Sequence, residues 1–252
     1  MSLHGLTALV TGSGAGVGRG IAMALASAGA HVVVATRSET GLAVAEEITA
    51  RGHDATWARC DVSDGDAVTG AIELSLATTG RLDAVVHNAT SNASSQPHQL
   101  ADVDRSVWGD HYSVSLRGAH FCAVSAFPAL KKRGGTFLVM TSPAGIEGSA
   151  TLPLYATMKG ALRGFAKSLA REWAPHGITV NVVSPLAYSP AMTLAISADP
   201  AMEERLARRI PLGRIGEPES DIGSAVAYLI GPAARYVTGQ TLGVDGGHFT
   251  NL

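Results

Sequence analysis

The chain has 252 residues, 46% of them hydrophobic and 16% charged, with a formal charge of -2 and a pI near 6.5; that is enough apolar material for one large α/β core. Lys and Arg are scattered rather than clustered, which argues against nucleic acid as a partner, and no apolar run reaches the roughly eighteen residues of a membrane span. Two cysteines without Cys-x-x-Cys spacing and no secretory leader at Met1-Ser2-Leu3-His4 predict a cytoplasmic protein, and nine histidines without a His-x-x-x-His pair or a Cys/His cluster predict no metal site.

The first predicted strand, Thr7-Ala8-Leu9-Val10, runs into Thr11-Gly12-Ser13-Gly14-Ala15-Gly16-Val17-Gly18-Arg19-Gly20 and a helix over 18–29. Missing Cβ atoms permit a tight turn there, and free N–H groups at the positive end of the helix suit a pyrophosphate. No window reads Gly-x-Gly-x-x-Gly, and no Gly-x-x-x-x-Gly-Lys is present, which argues against a nucleotide triphosphatase. The second strand, 31–34, leads into Ala35-Thr36-Arg37-Ser38, with no acid at its end, and then a helix over 39–51. Strands at 55–58 and 82–86 flank a helix over 65–79; a polar stretch at 90–101 and a helix over 105–132 follow. A strand at 136–139, a helix over 154–174 and a strand at 178–183 come next, then an irregular region from about Pro185 to Pro200 and a last strand at 241–244.

Such alternation predicts parallel strands with right-handed crossovers and helices on both faces of the sheet, and a run such as Val32-Val33-Val34 fits burial on both sides. The expected architecture is a three-layer α/β/α, seven-stranded, mostly parallel, doubly wound sheet in one domain over 1–252. Ligands bind beyond the carboxyl ends of such strands. The segments at 90–101 and 185–209 are therefore expected to border a substrate pocket.

Tyr155 and Lys159 form the only Tyr-x-x-x-Lys pair, thirteen residues after Ser142. Positions i and i+4 share a helix face, so an ammonium is expected to sit under the phenol and lower its pKa from about 10. A strand-end hydroxyl at Ser142 would then hold the carbonyl or alkoxide oxygen on which the phenol acts. A serine hydrolase built on Ser142 would need a Gly-x-Ser-x-Gly elbow, which is absent.

Thr11-Gly12-x-x-x-Gly16-x-Gly18, Asp61-Val62, Asn88-Ala89, Tyr155-x-x-x-Lys159, Asn181 with Pro185, Pro211-Leu212-Gly213-Arg214, Gly239-Gln240 and Val244-Asp245-Gly246-Gly247 occur in this order. Over essentially its whole length the chain thereby resembles the short-chain dehydrogenase/reductases, including the 3-oxoacyl reductase type. The resemblance implies a Rossmann fold in which the glycine loop (Gly12, Ser13, Gly14, Gly16, Val17, Gly18) binds the pyrophosphate of a dinucleotide. Asp61 and Val62 would meet the adenine, and Asn88 and Ala89 would line the adenine ribose. Ser142 would position the substrate oxygen, Tyr155 would carry the proton, and Lys159 would hold the nicotinamide ribose. Because Thr36 is followed by Arg37, a planar cation suited to a 2′-phosphate, NADP(H) is the expected cofactor, with NAD(H) not excluded. The expected substrate is a small ketone or secondary alcohol, and the expected assembly a homotetramer or homodimer.

The chain departs from the family pattern at three places. Ser115 stands where a catalytic Asn is usual. His87-Asn88-Ala89-Thr90 replaces Asn-Asn-Ala-Gly, and Pro185-Leu186 replaces Pro-Gly, with Pro190 at a usual Thr. Either Leu186 and Tyr188 shape an apolar pocket or the nicotinamide sits differently, with Thr193 as a substitute donor to its carboxamide. These departures keep an alternative in view, a redox-inactive dinucleotide-binding sensor or partner subunit. Retention of Ser142, Tyr155 and Lys159 weighs against it.

Overall fold

A computed structural model describes residues 2–249. Seven strands make one sheet: β1 (Thr7–Thr11), β2 (His31–Thr36), β3 (Ala55–Arg59), β4 (Ala84–His87), β5 (Thr136–Met140), β6 (Thr179–Pro185) and β7 (Thr241–Val244). Their order is β3-β2-β1-β4-β5-β6-β7, and every neighbouring pair is parallel. Val10 pairs with Val34 on one side and Val86 on the other, so the order of strands reverses across β1 and β4. That reversal opens a crevice at their carboxyl ends.

The helices are α1 (Gly16–Ser27), α2 (Thr40–Ala50), α3 (Gly65–Thr79), α4 (Arg105–His111), α5 (Gly118–Lys131), α6 (Ala144–Glu147), α7 (Pro153–Trp173), α8 (Pro190–Ala198), α9 (Ala201–Ala207) and α10 (Ser224–Ile230). Alternate residues of the strands point to opposite faces. Leu9, Val33, Val85 and Phe137 pack with α3, α5 and α7, while Val10, Val34, Val86 and Leu138 pack with α1, α2 and α10. Two cores on the two faces give the three-layer α/β/α Rossmann architecture.

Local chemistry sets several boundaries. Asp64 caps α3 by accepting from the Asp66 N–H, and Gly80 ends it at φ 73°, the left-handed geometry that Gly adopts without penalty. The single helix expected over 105–132 is interrupted by a π turn at Tyr112–Arg117. The irregular region expected from Pro185 to Pro200 instead carries α8, and α9 follows. Ser189 accepts from the Met192 N–H and Pro190 occupies the first turn of α8, a start signal that the proline-bracketed sequence conceals.

Candidate active site

The carboxyl ends of β1 and β4 are locked to each other. The Thr11 hydroxyl oxygen accepts from the N–H groups of Asn88 and Ala89 at 3.0 and 3.1 Å, and Asn88 Nδ2 donates to the carbonyls of Thr11 and Gly12. A Cβ on Gly12 would stand 2.8 Å from Ala89 Cα, and one on Gly18 would stand 2.4 Å from Asn88 Nδ2, so this close approach requires glycine at both positions. Gly12, Gly14, Gly16, Val17 and Gly18 line a cleft of about 800 Å3 at the amino end of α1, together with Thr36, Arg37, Asp61, Val62, Asn88, Ala89, Tyr155, Lys159 and Pro185. A glycine cradle at a helix amino end, with a cation at the neighbouring strand end, fits a dinucleotide's phosphates.

At the nucleotide end, Thr36 accepts from Trp57 Nε1 and donates to the Ser38 carbonyl. Burial alone would raise the Asp61 pKa, but hydrogen bonds from Ser63 and the nearby Arg37 charge bring it below the ordinary carboxylate value. Asp61 is thus held as an ionised acceptor.

At the other end, α7 begins against the end of β5. The Thr141 hydroxyl donates to the Lys159 carbonyl at 2.9 Å, and Lys159, 3% exposed, donates from Nζ to the Met140 carbonyl at 2.8 Å. Its Nζ lies 5.5 Å from the centre of the Tyr155 ring. Burial pulls the Lys159 pKa down to about 8. The Tyr155 phenol, half-buried, is pushed above its ordinary value by burial, against a smaller opposing effect of its hydrogen bond with Ser142. Here the expectation that Lys159 lowers the phenol pKa is corrected: the ammonium sits under the ring with one N–H on a β5 carbonyl, and desolvation of the phenol prevails. The Ser142 oxygen also accepts from the Ala144 N–H at 3.2 Å, which fixes it beside the phenol.

Four expected site residues do not line the cleft: Ser142, which stands beside the Tyr155 phenol, and Ser13, Thr193 and Ser115. Ser13 is fully buried, with its hydroxyl donating to the Val10 carbonyl at 2.7 Å; it shapes the turn and does not line the cleft. Thr193 lies with Arg19, Tyr188 and Leu194 around a depression that adjoins the cleft at Gly16, Ser189 and Pro190. Ser115 is buried in the π turn, and its carbonyl accepts from His87 Nε2 at 2.9 Å. Leu186 and Tyr188 do not line the cleft; the Tyr188 hydroxyl donates to Glu203, tying the segment after β6 to α9.

The structure adds Val114, Met140, Leu152 and Asp110 to the cleft. None of them carries a motif, since each is brought in only by packing. Among the described residues no group of three or more His, Cys, Asp and Glu is placed to hold a metal ion, and no helix is long and apolar enough to cross a membrane.

Residues 12–248 match the family model described as enoyl-(acyl carrier protein) reductase. The chain is 37% identical to the 3-oxoacyl-[acyl-carrier-protein] reductase FabG of Staphylococcus aureus, over 96% of this chain and 98% of that one. It is similar in structure to a putative NAD(P)-dependent gluconate 5-dehydrogenase from Beutenbergia cavernae with bound NADP (TM-score 0.88, 36% identity, 98% of each chain). It is also similar to a 7α-hydroxysteroid dehydrogenase complexed with NADH and 7-oxo glycochenodeoxycholic acid (TM-score 0.89, 30% identity, 98% of this chain and 96% of that one). With the glycine cradle, Tyr155 and Lys159 in one crevice and Ser142 hydrogen-bonded to the phenol, the chain belongs to the short-chain dehydrogenase/reductase family and is an NAD(P)(H)-dependent oxidoreductase acting on ketone and alcohol groups.

Proposed function

We propose that the protein prefers NADP(H) and that Tyr155 transfers the proton in the interconversion of a small ketone and a secondary alcohol. The observation that carries the reading is one continuous cleft with Arg37 at the nucleotide end and Tyr155 with Lys159 at the other. Nicotinamide supplies the hydride when bound. The phenol, protonated because burial raises its pKa, donates to the oxygen of the carbonyl as that oxygen gains charge, and the Ser142 hydroxyl holds the same oxygen. Lys159, anchored on the Met140 carbonyl, keeps a positive charge below the ring and would hold the nicotinamide ribose. Arg37 would pair with the 2′-phosphate, as a planar cation does through charge-assisted bonds. The two solved relatives carry NADP and NADH respectively, so the choice for this chain rests on Arg37.

The reading includes a cytoplasmic setting, supported by two free, buried cysteines, Cys60 and Cys122. It also includes a homotetramer or homodimer, supported by the exposed apolar side chains of Trp108, Tyr112 and Val124 along α4, the π turn and α5; light scattering tests the assembly. NADPH oxidation measured against a panel of ketones, with Tyr155→Phe as control, tests the chemistry. Turnover that Tyr155→Phe abolishes while NADPH still binds is the expected result. Undiminished turnover in the variant refutes the role of Tyr155.

A further inference from the structure

The part of the cleft not built from the glycine loop and the strand ends has a mixed lining. Leu152 before α7, Met192 on α8 and Met202 on α9 supply apolar surface, while Ser91, Asn92 and Asp110 supply polar surface from the loop after β4 and from α4. Among the described residues that line the cleft, four are charged: Arg37, Asp61, Asp110 and Lys159. Arg37 and Asp61 sit together at the nucleotide end, and Lys159, with one N–H on the Met140 carbonyl, would face the nicotinamide ribose. Asp110 is the charge left to face a substrate.

Its carboxylate is held by an oriented chain of bonds. The Ala93 N–H donates to Ser91 Oγ at 3.0 Å, and the Ser91 hydroxyl donates to Asp110 Oδ2. Ser91 is buried and Asp110 exposed. Oδ1 makes no hydrogen bond among the described residues, so a carboxylate oxygen free to accept remains on a side chain that the Ser91 bond orients. We infer that Asp110 selects the substrate. The ketone or alcohol carries a hydrogen-bond donor, an ammonium or a hydroxyl, at the end remote from the reacting carbon and joined to it by an apolar body. An anion at that end would meet Asp110 unpaired and be rejected.

The inference rests on the redox reading of the same cleft, and the test separates the two. Three ketones matched in length, ending in an ammonium, a hydroxyl and a carboxylate, are compared as substrates of the wild-type protein and of Asp110→Asn. Asparagine still offers Ser91 an acceptor, so a role confined to tying down the loop survives the change. The expected kcat/KM for the ammonium and hydroxyl ketones exceeds that for the carboxylate by about fivefold, the scale of an exposed charge pair, and Asp110→Asn narrows the difference through KM. A carboxylate ketone that equals or beats the other two, or a ratio that Asp110→Asn leaves unaltered, overturns the inference. If none of the three is turned over, the redox reading fails instead. Calorimetric binding of the same three compounds to the NADP+-loaded protein then decides the charge preference by the same two criteria.

Discussion

Arg37 stands exposed just past β2, near enough to Asp61 to help pull that carboxylate down. If its guanidinium grips a 2′-phosphate through charge-assisted bonds worth about 1.5–3 kcal/mol, Arg37→Ala weakens NADPH binding by about ten- to a hundredfold and spares NADH. Equal losses for both cofactors, measured by titration, remove the assignment. Tyr155 gives a second prediction. Its protonated form serves ketone reduction and its ionised form serves alcohol oxidation. Reduction therefore falls, and oxidation rises, as pH climbs through a phenol pKa that burial has moved up. The oxidation optimum should lie at higher pH than the reduction optimum, and coincident or reversed optima in paired pH profiles contradict it. The sequence spacing reveals that Tyr155 and Lys159 share a helix face. It does not reveal the sign of the phenol shift, because that depends on how deeply the folded chain buries the hydroxyl.

Elements join at this site through a histidine whose role no motif discloses. His87, 1% exposed at the end of β4, donates from Nε2 to the Ser115 carbonyl in the π turn, and its Nδ1 lies 3.4 Å from the Thr11 hydroxyl. That hydroxyl already accepts two N–H groups, so its own proton is free for Nδ1, which fixes the tautomer. Burial first, and the Lys159 charge second, push the His87 pKa down to about 3, keeping the ring neutral. His87→Leu leaves the Ser115 carbonyl and the Thr11 proton without these partners. A loss of about 1–3 kcal/mol in urea unfolding is expected, and an unchanged midpoint counts against the bond. Near-continuous apolar strands such as β2 were legible because a parallel sheet buries both faces. The π turn and α8 were not: one arises from packing between β4 and the α4–α5 segment, and the other opens in a Ser-Pro pair that reads equally well as a loop.

Seven parallel strands with helices on both faces followed from alternation and handedness; their order, and with it the crevice between β1 and β4, came from the fold. So did the inventory of the cleft, since Asp110, Val114 and Leu152 meet there only through the folded whole. Global stability carries the mark of that crevice. Lys159 is a buried ammonium whose pKa falls from the ordinary 10.5 to about 8, so folding disfavours its charge. Below about pH 8 the lysine is protonated in both folded and unfolded chains, and the folded state bears the full burial cost. Between about pH 8 and 10.5 the unfolded chain binds the extra proton, so stability rises with pH; above that range both forms are neutral and the cost is gone. At about 1.4 kcal/mol per pH unit the total is about 3 kcal/mol. Lys159→Met lacks this titration, so the stability of the wild type minus that of the variant should climb by this amount across the window. Urea unfolding of both proteins at several pH values measures it. A difference that stays flat, or falls as pH rises, would mean that the ammonium is better solvated than its place under Tyr155 implies.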